Sequence, residues 1–310
     1  MYEQTKRVMI CRLWVAGWML GLPLTVTGVD KAADLPTLDG KYPGLATGAL
    51  TYARLTTLPE GVLLKAGTLT IREKEVTDRI AQAPQAQQEQ LHKNAFYVLE
   101  GTATTKLLLQ AAKAQMANTD PNERDLIQRY VQGIVEKVAV SDQEVADFYQ
   151  ANKDACGGAT LDQVKGQIKQ VVLQQKQQDL VDQHIRTLGQ RMQIEVSSEW
   201  VRAQAVLAKD NPVDKARSSG RPSLVDFGST GCRPCDMLAP ILETLKTKYA
   251  GKVNVVFVHV GQEPVLASRY GIKTIPMQFF YDKDGKEVFR HLGFWPQDEI
   301  EKQLAEMGVK

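Results

Sequence analysis

The sequence predicts a multi-domain protein in which an all-α helical module precedes an α/β domain with a mixed central sheet flanked by helices. The chain has 310 residues, and at ~150 residues per domain this length suggests two domains. Residues 70–192 carry apolar side chains at helical spacing between repeated helix-start signals. After residue 222 the pattern changes to a β-α-β unit followed by a hairpin and a helix, which is typical of a mixed sheet between helices.

The composition excludes several classes of protein. Hydrophobic residues make up 43% of the chain and charged residues 24%, which is ordinary for a globular protein and excludes a disordered or collagen-like chain. The 38 basic and 36 acidic residues give a net charge of +2, so no nucleic-acid partner is expected. Four cysteines are too few for a scaffold held together by disulfides, so their spacing decides whether they matter.

The first 29 residues are predicted to be an export segment. Lys6, Arg7 and Arg12 precede 17 residues without a charge, 13–29. A basic start before an apolar run is typical of a secretory signal, and about 17 residues are also enough for a membrane anchor; a buried core helix is the minor alternative. Because the basic end stays in the cytoplasm, the rest of the chain is expected to be periplasmic or otherwise extracytoplasmic, secreted or attached to the inner membrane through residues 13–29.

Composition shifts divide the rest of the chain. Residues 30–59 are expected to be a linker with a short β segment, because proline and glycine are frequent there. Residues 60–199 are assigned to the helical module. Residues 200–221 are predicted to be a second linker, since residues 209–222 are polar and contain two prolines and a glycine. Residues 222–310 form the α/β domain.

Within these regions, apolar runs at 49–58 and 62–69 predict a hairpin around a Pro-Glu-Gly turn. Capping boxes and an Asp-Pro helix start predict most of the helices. In the last helix the apolar stripe lapses at 174–179, which we interpret as an arm that crosses solvent between two packed ends. The helices of the module are predicted at 71–82, 85–118, 121–138, 142–152 and 161–192.

The chemistry is predicted at Cys232 and Cys235, which follow a strand and open a helix. A cysteine at a helix N-terminus faces unpaired N–H groups and the positive end of the helix dipole, so its thiolate is stabilised. The second cysteine, one turn further, can attack a mixed disulfide formed by the first. Two other interpretations stay open. A zinc site would need a second pair of ligands, whereas His259 and His291 stand alone, and a purely structural disulfide would close too small a loop to stabilise much.

The residues around the two cysteines resemble the thioredoxin family. Residues 222–245 resemble the active-site segment and residues 271–294 its second half, so the resemblance covers a whole domain at about 215–310. Four landmarks fall in register: a buried acid, a proline in the active-site helix, an isoleucine–proline pair with a cis bond, and a glycine on the substrate-binding rim. These landmarks are Asp226, Pro240, Ile275-Pro276 and Gly293.

The resemblance implies a role for each site residue. Cys232 is the attacking nucleophile, Cys235 is the buried resolving thiol, and Asp226 accepts the proton of Cys235, with a pKa that burial should raise. No cofactor other than the redox-active Cys232–Cys235 disulfide and no metal are implied. The plainer alternatives are that Asp226 faces solvent, that Pro276 is an ordinary loop proline and that Arg233 is a solvated loop charge. The residues implied to bind substrate are Ile275, Pro276, Gly293 and Arg233, whose charge should also lower the pKa of the nucleophile.

The sequence departs from the family at four positions near the site. Gly228 and Gly231 stand where tryptophans are usual, Phe257 replaces a common lysine partner of the acid, and Met277 takes a position more often occupied by threonine. We therefore expect a smaller and more flexible rim, and an acid that titrates even higher than usual because it lacks a counter-charge.

Residues 60–195 resemble the N-terminal chaperone region of SurA-type periplasmic peptidyl-prolyl isomerases. The resemblance is carried by residues 62–80, 140–154 and 160–196. Only residues 155–159 remain where the fuller family has its isomerase domain, so no isomerase activity is expected. The resemblance implies helices that hold unfolded polypeptide. The plainer alternative is a spacer that lifts the redox domain off the membrane.

Together these patterns predict an enzyme, an exported protein-disulfide oxidoreductase that exchanges the Cys232–Cys235 disulfide with client proteins in the reductase or isomerase direction. Its expected partners are clients with thiols or disulfides and a membrane protein that donates or accepts electrons. A chaperone or scaffold with a vestigial cysteine pair is one alternative, and a dedicated reductase for cytochrome maturation or a metallochaperone is another. Cys11 belongs to the export segment, and Cys156 is a loop thiol whose minority interpretation is pairing or dimer formation.

Overall fold

The structure is a computed structural model that describes residues 35–116, 122–153, 156 and 158–310. The predicted signal peptide or anchor at 1–29 lies outside the described residues. The described part belongs to one packed unit, Leu35–Lys310, in which we distinguish an N-terminal module, residues 35–208, and a C-terminal domain, residues 210–310. Within the described ranges, none of the helices combines the length and apolar character needed to cross a bilayer.

The N-terminal module is mainly helical, as predicted, but it also contains a four-stranded sheet that an all-α module would lack. The strands are β1 Arg54–Thr56, β2 Val62–Ala66, β3 Leu69–Arg72 and β4 Glu195–Ser197, in the order β1-β4-β2-β3. The predicted hairpin is displaced, because β2 pairs with β3 across a turn at Gly67, whose φ of 57° suits a two-residue turn. β1 pairs instead with β4 from the other end of the module.

Eight helices of the N-terminal module are described. Their bounds are α1 Leu38–Lys41, α2 Glu73–Ala81, α3 Gln85–Lys93, α4 Ala95–Gln115, α5 Glu123–Val135, α6 Asp142–Ala151, α7 Leu161–Arg191 and α8 Ser198–Ala208. The helix predicted over 85–118 is two helices, because Asn94 between them has a non-helical backbone. α4 is central, as its apolar circumference indicated, and buries Phe96, Leu99 and Leu107.

The predicted linker at 200–221 contains two helices, α8 and α9 Pro212–Arg217. α8 buries Val201, Ala205 and Ala208 in the core of the N-terminal module. Asn211 caps α9 by accepting the N–H of Val213 at 3.0 Å and that of Asp214 at 2.9 Å. The polar composition therefore comes from helix caps and exposed helix faces, and the two parts of the protein are joined by packed helices.

The C-terminal domain has the predicted mixed sheet flanked by helices. Its elements are β5 Ser223–Gly228, α10 Arg233–Lys248, β6 Asn254–His259, α11 Pro264–Arg269, β7 Met277–Tyr281, β8 Glu287–Leu292 and α12 Gln297–Glu306. The strand order is β6-β5-β7-β8, with β5 parallel to β6 and the other pairs antiparallel. Alternate residues of β5 and β7 face two cores, one shared with α9 and α11 and the other with α10 and α12.

A buried polar network joins the N-terminal module to the C-terminal domain. Arg269 on α11 pairs with Asp214 at 2.8 Å, and its guanidinium also donates to the carbonyls of Ala208 and Gly44, each at 3.3 Å. Both side chains of the pair are less than 10% exposed. Nearby, buried Glu100 accepts three backbone N–H groups of the loop 47–50. Because a buried charge that loses its partner is strongly unfavourable, this network fixes the orientation of the two parts.

Candidate active site

The two cysteines lie where β5 leads into α10. They form a disulfide, with Cα atoms 5.2 Å apart, and Cys232 is the N-cap of α10 while Cys235 lies in its first turn. Cys232 is half-buried, whereas Cys235 is only 4% exposed. The more accessible cysteine therefore lies at the helix N-terminus, where the positive end of the helix dipole stabilises a thiolate. Of the two thiols of the reduced pair, only Cys232 can meet a large substrate directly.

Asp226 lies in the middle of β5 and is completely buried. Its Oδ1 accepts a hydrogen bond from Nε2 of Gln278 at 2.7 Å, while its Oδ2 has no hydrogen-bond partner among the described residues. Burial raises the pKa of this carboxyl to about 6, although the hydrogen bond from Gln278 lowers it. A group that titrates near neutrality can both accept and release a proton there.

Gly228 connects the acid with the cysteine pair. A Cβ at this position would lie 3.4 Å from Oδ2 of Asp226 and 3.3 Å from Cβ of Cys235. The free carboxylate oxygen and the buried cysteine thus flank the same small residue. The same Cβ would lie 2.9 Å from Cε2 of Phe257, so a larger residue at position 228 would press on its neighbours.

Gln278 was not singled out from the sequence. It is fully buried in β7, directly opposite Asp226 in the register of β5 and β7. Its Oε1, like Oδ2 of Asp226, has no partner within the described ranges. The available signal was one glutamine inside the apolar run Met277–Tyr281, because a buried amide in such a strand needs a polar partner.

The predicted rim residues come together at the active-site end of the sheet. The Ile275–Pro276 peptide bond is cis, as the resemblance implied. Met277, the next residue, pairs with Phe227 near the end of β5, so Pro276 lies at the edge from which the cysteine loop departs. The N–H of Gly293 donates to the carbonyl of Pro276 at 2.9 Å.

Two of the other predicted features lie on the surface beside the site. Arg233 is exposed at the start of α10, where a side-chain charge acts through solvent. Phe257 lies opposite Asp226 in β6, but its ring is 48% exposed and covers Gly228 from outside. His259, which the sequence offered only as a solitary zinc-ligand candidate, accepts the N–H of Thr230 at 3.3 Å through its Nε2 and so contacts the loop before Cys232.

The N-terminal module also reaches the rim. Asn152, at the end of α6, is buried against Gly293, since a Cβ on that glycine would lie 2.1 Å from Oδ1 of Asn152. The thiol of Cys156 donates to the carbonyl of Asn152 at 3.4 Å and packs against the apolar side chains between α6 and α7. Burial raises the pKa of the Cys156 thiol, which makes it a poor nucleophile at neutral pH.

The polar stretch of α7 does not cross solvent as the sequence suggested. Gln175, Gln177 and Gln178 are half-buried, and with Gln174 and Val181 they face Lys273 and Thr274 of the loop before Pro276. A cleft of about 400 Å³ separates the helix from this loop. The C-terminal domain therefore lies across the cleft from the stretch where the apolar stripe lapses.

An accessible cysteine at a helix N-terminus, a buried cysteine one turn later and a buried carboxyl below them define a thiol oxidoreductase. Comparison with known proteins agrees, since residues 210–308 match the family described as a thioredoxin-like domain. This chain belongs to the thioredoxin family through its C-terminal domain. The resemblance of residues 60–195 to SurA-type chaperones stays a prediction.

Individual relatives show how far the similarity extends. A thioredoxin from Alicyclobacillus acidocaldarius subsp. acidocaldarius is 36% identical over 98 residues, which are 32% of this chain and 92% of that protein. A thioredoxin from Staphylococcus aureus is 36% identical over 99 residues, 32% of this chain and 93% of that protein. A solved structure, a point mutant of thioredoxin from Halobacterium salinarum NRC-1, is 28% identical, covers 31% of this chain and 81% of that chain, and has a TM-score of 0.28.

Proposed function

We propose that the protein is an exported protein-disulfide oxidoreductase that exchanges the Cys232–Cys235 disulfide with client proteins in the reductase or isomerase direction. The observation that carries the proposal is the asymmetry of the pair. Cys232 is accessible at a helix N-terminus, whereas Cys235 is buried beside a carboxyl that titrates near neutrality. Such an asymmetry separates the thiol that meets the client from the thiol that completes the exchange.

In the reductase direction, the Cys232 thiolate attacks a client disulfide. The client S–S bond breaks, a bond between Cys232 and the client forms, and one client thiolate leaves. The Cys235 thiolate then attacks the sulfur of Cys232, which restores the protein disulfide and releases the second client thiolate. The client gains two electrons and the protein loses two. A donor dithiol protein, which we expect in the membrane, returns them by the same exchange in reverse.

Asp226 accepts the proton of Cys235 and later returns it. Above a pH of about 6 most of the carboxyl is ionised, so its Oδ2 can accept the proton as the Cys235 thiol becomes a nucleophile. Both groups flank Gly228, and a water molecule would relay the proton between them. The carboxylic acid then returns the proton to the leaving thiolate.

The export and client-binding parts of the proposal rest on other features. Export is supported by the basic start and the uncharged run 13–29. Client binding by the N-terminal module is supported by its fixed position beside the rim, where Asn152 contacts Gly293. A fusion of residues 1–34 to a reporter that is active only outside the cytoplasm tests export, and an inactive reporter contradicts it.

Catalysis is tested by insulin reduction with dithiothreitol as the electron source. The wild-type protein is expected to accelerate reduction, and Cys232→Ser to abolish the acceleration. Cys156→Ser is the matched control and should keep full activity. Cys235→Ser should accumulate mixed disulfides with clients in cells, and many trapped proteins support a general oxidoreductase. Full activity of Cys232→Ser would show that the pair is vestigial, and a single trapped protein would show a dedicated client.

A further inference from the structure

The cleft beside the active site has walls from both parts of the protein. One wall is the polar stretch of α7 and the other is the loop that leads to Pro276. Its volume of about 400 Å³ lies within the ~300–1,000 Å³ of typical ligand sites. The residues that matter for its chemistry are Gln174, Gln177, Gln178, Val181, Lys273 and Thr274.

The glutamines give this cleft an unusual lining. Each carboxamide offers two N–H donors and one carbonyl acceptor, which is the complement of a peptide main chain. Gln175 and Gln178 already donate to Asp179 and Asp182 within α7, at 2.8 and 2.7 Å. Within the described part of the chain, the amides of Gln174 and Gln177 make no hydrogen bond, although both line the cleft. Two glutamines whose amides have no protein partner among the described residues therefore line the cleft.

The position of the cleft links it to the cysteines. Thr274 lies two residues before Pro276, and the N–H of Gly293 binds the Pro276 carbonyl at 2.9 Å. Because β7 begins just after Pro276 at the end of the sheet where β5 leads into the cysteine loop, the loop that lines the cleft and Cys232 lie at the same end of the sheet.

Packing and hydrogen bonds hold both walls in place. The Arg269–Asp214 pair and its hydrogen bonds to Ala208 and Gly44 fix α11 against the N-terminal module. α7 is anchored by apolar packing of Ile168 at one end and of Ile185 at the other. A preformed cleft lowers the ordering cost of binding.

We propose that the cleft binds an extended segment of a client polypeptide, whose main chain is held by the carboxamides of Gln174 and Gln177 while a neighbouring cysteine of the client reaches Cys232. This inference rests on the proposed function and specifies its substrates as unfolded chains and flexible loops. Because the main chain is recognised, the amino-acid sequence of the client is not constrained. The helix of the N-terminal module thus supplies a substrate-binding wall to the redox domain.

The test compares two substrates of the full-length protein, an unfolded peptide with one internal disulfide and the small disulfide 5,5′-dithiobis(2-nitrobenzoate). In the double variant Gln174→Ala/Gln177→Ala, each lost hydrogen bond should raise the KM for the peptide roughly fivefold. The kcat for the peptide and the rate with the small disulfide should stay unchanged. The matched control is Gln170→Ala/Gln183→Ala, which removes two exposed glutamines of α7 outside the cleft and should behave as the wild type.

The outcomes separate this inference from the proposed function. If the wild type reduces neither substrate, the proposed function fails. If the wild type reduces both and the double variant keeps the wild-type KM for the peptide, binding in the cleft is refuted. A second measurement does not require the double variant to fold. A peptide with a benzophenone beside its cysteine, trapped on Cys235→Ser, should attach to residues 174–181 or to Lys273; the absence of attachment there also refutes the inference.

Discussion

The variant Asp226→Asn is expected to change how the stability of the folded protein depends on pH. Asp226 is fully buried, and burial raises the pKa of its carboxyl from 3.8 to about 6. In the unfolded chain the carboxyl regains its ordinary pKa. Between these two values the folded protein therefore holds a proton that the unfolded chain has lost.

A proton held only by the folded state makes stability fall as the pH rises. Below about pH 4 the carboxyl is protonated in both states and carries no penalty, whereas above about pH 6 it is ionised in both and the full penalty applies. The shift is about two pKa units, and each unit corresponds to about 1.36 kcal/mol. Ionised Asp226 should thus destabilise the oxidised protein by roughly 3 kcal/mol at neutral pH.

Urea unfolding of the oxidised wild type and of Asp226→Asn, at about pH 4 and about pH 7.5, measures this penalty. The asparagine keeps an acceptor for Gln278 but places an N–H₂ group where Oδ2 lies, which costs about 1–3 kcal/mol at both pH values. Relative to the wild type, the free energy of unfolding of the variant should therefore rise by roughly 3 kcal/mol from about pH 4 to about pH 7.5. Asp236→Asn, on the exposed face of α10, is the control. An effect of Asp226→Asn that is equal at both pH values would refute the argument.

Three further variants test other contacts of the structure. Gln278→Met removes the hydrogen bond that lowers the pKa of Asp226. The rate at which Cys235 resolves mixed disulfides should therefore show its pH dependence at higher pH, and an unchanged pH profile contradicts this. Gly228→Ala brings a Cβ to 3.3 Å from that of Cys235, which should cost about 1–3 kcal/mol of stability by urea unfolding; an unchanged midpoint contradicts the contact. Arg269→Met takes one arginine from buried Asp214, which keeps Arg217 at 3.6 Å and the hydroxyl of Tyr270 at 3.1 Å. It should therefore cost about 1.5–3 kcal/mol, with Arg269→Lys intermediate, whereas a loss as small as that of a surface ion pair would show that the network is exposed.

Most of the C-terminal domain could be predicted because its signals are local. The strand before Cys232, the helix that it opens and the Asp-Gly hairpin are each specified by neighbouring residues. The pairing of Asp226 with Gln278 could not be predicted in the same way. It depends on the register of β5 against β7, and register is decided by which residues of distant strands face the same core.

The N-terminal module shows the same division between local and distant information. Capping patterns predicted the starts of α6 and α7 to within one residue. The pairing of β1 with β4 joins the two ends of the module in sequence, and no local pattern indicates it. The missed helix α9 is different, because Asn211 followed by Pro212 is itself a helix-start signal. The polar residues around this signal are also typical of a linker, and they led to the wrong prediction.

The polar middle of α7 follows from how its ends are held. Ile168 packs into the small core with α6, and Ile185 packs into the cores around α4 and α5. A helix anchored at both ends needs no apolar stripe between the anchors, because the free energy that holds it comes from those ends. Residues 174–179 are thus free of the requirement to pack, although they lie beside the loop before Pro276. A stretch that would lower the stability of an isolated amphipathic helix can therefore carry unpaired amides next to the active site.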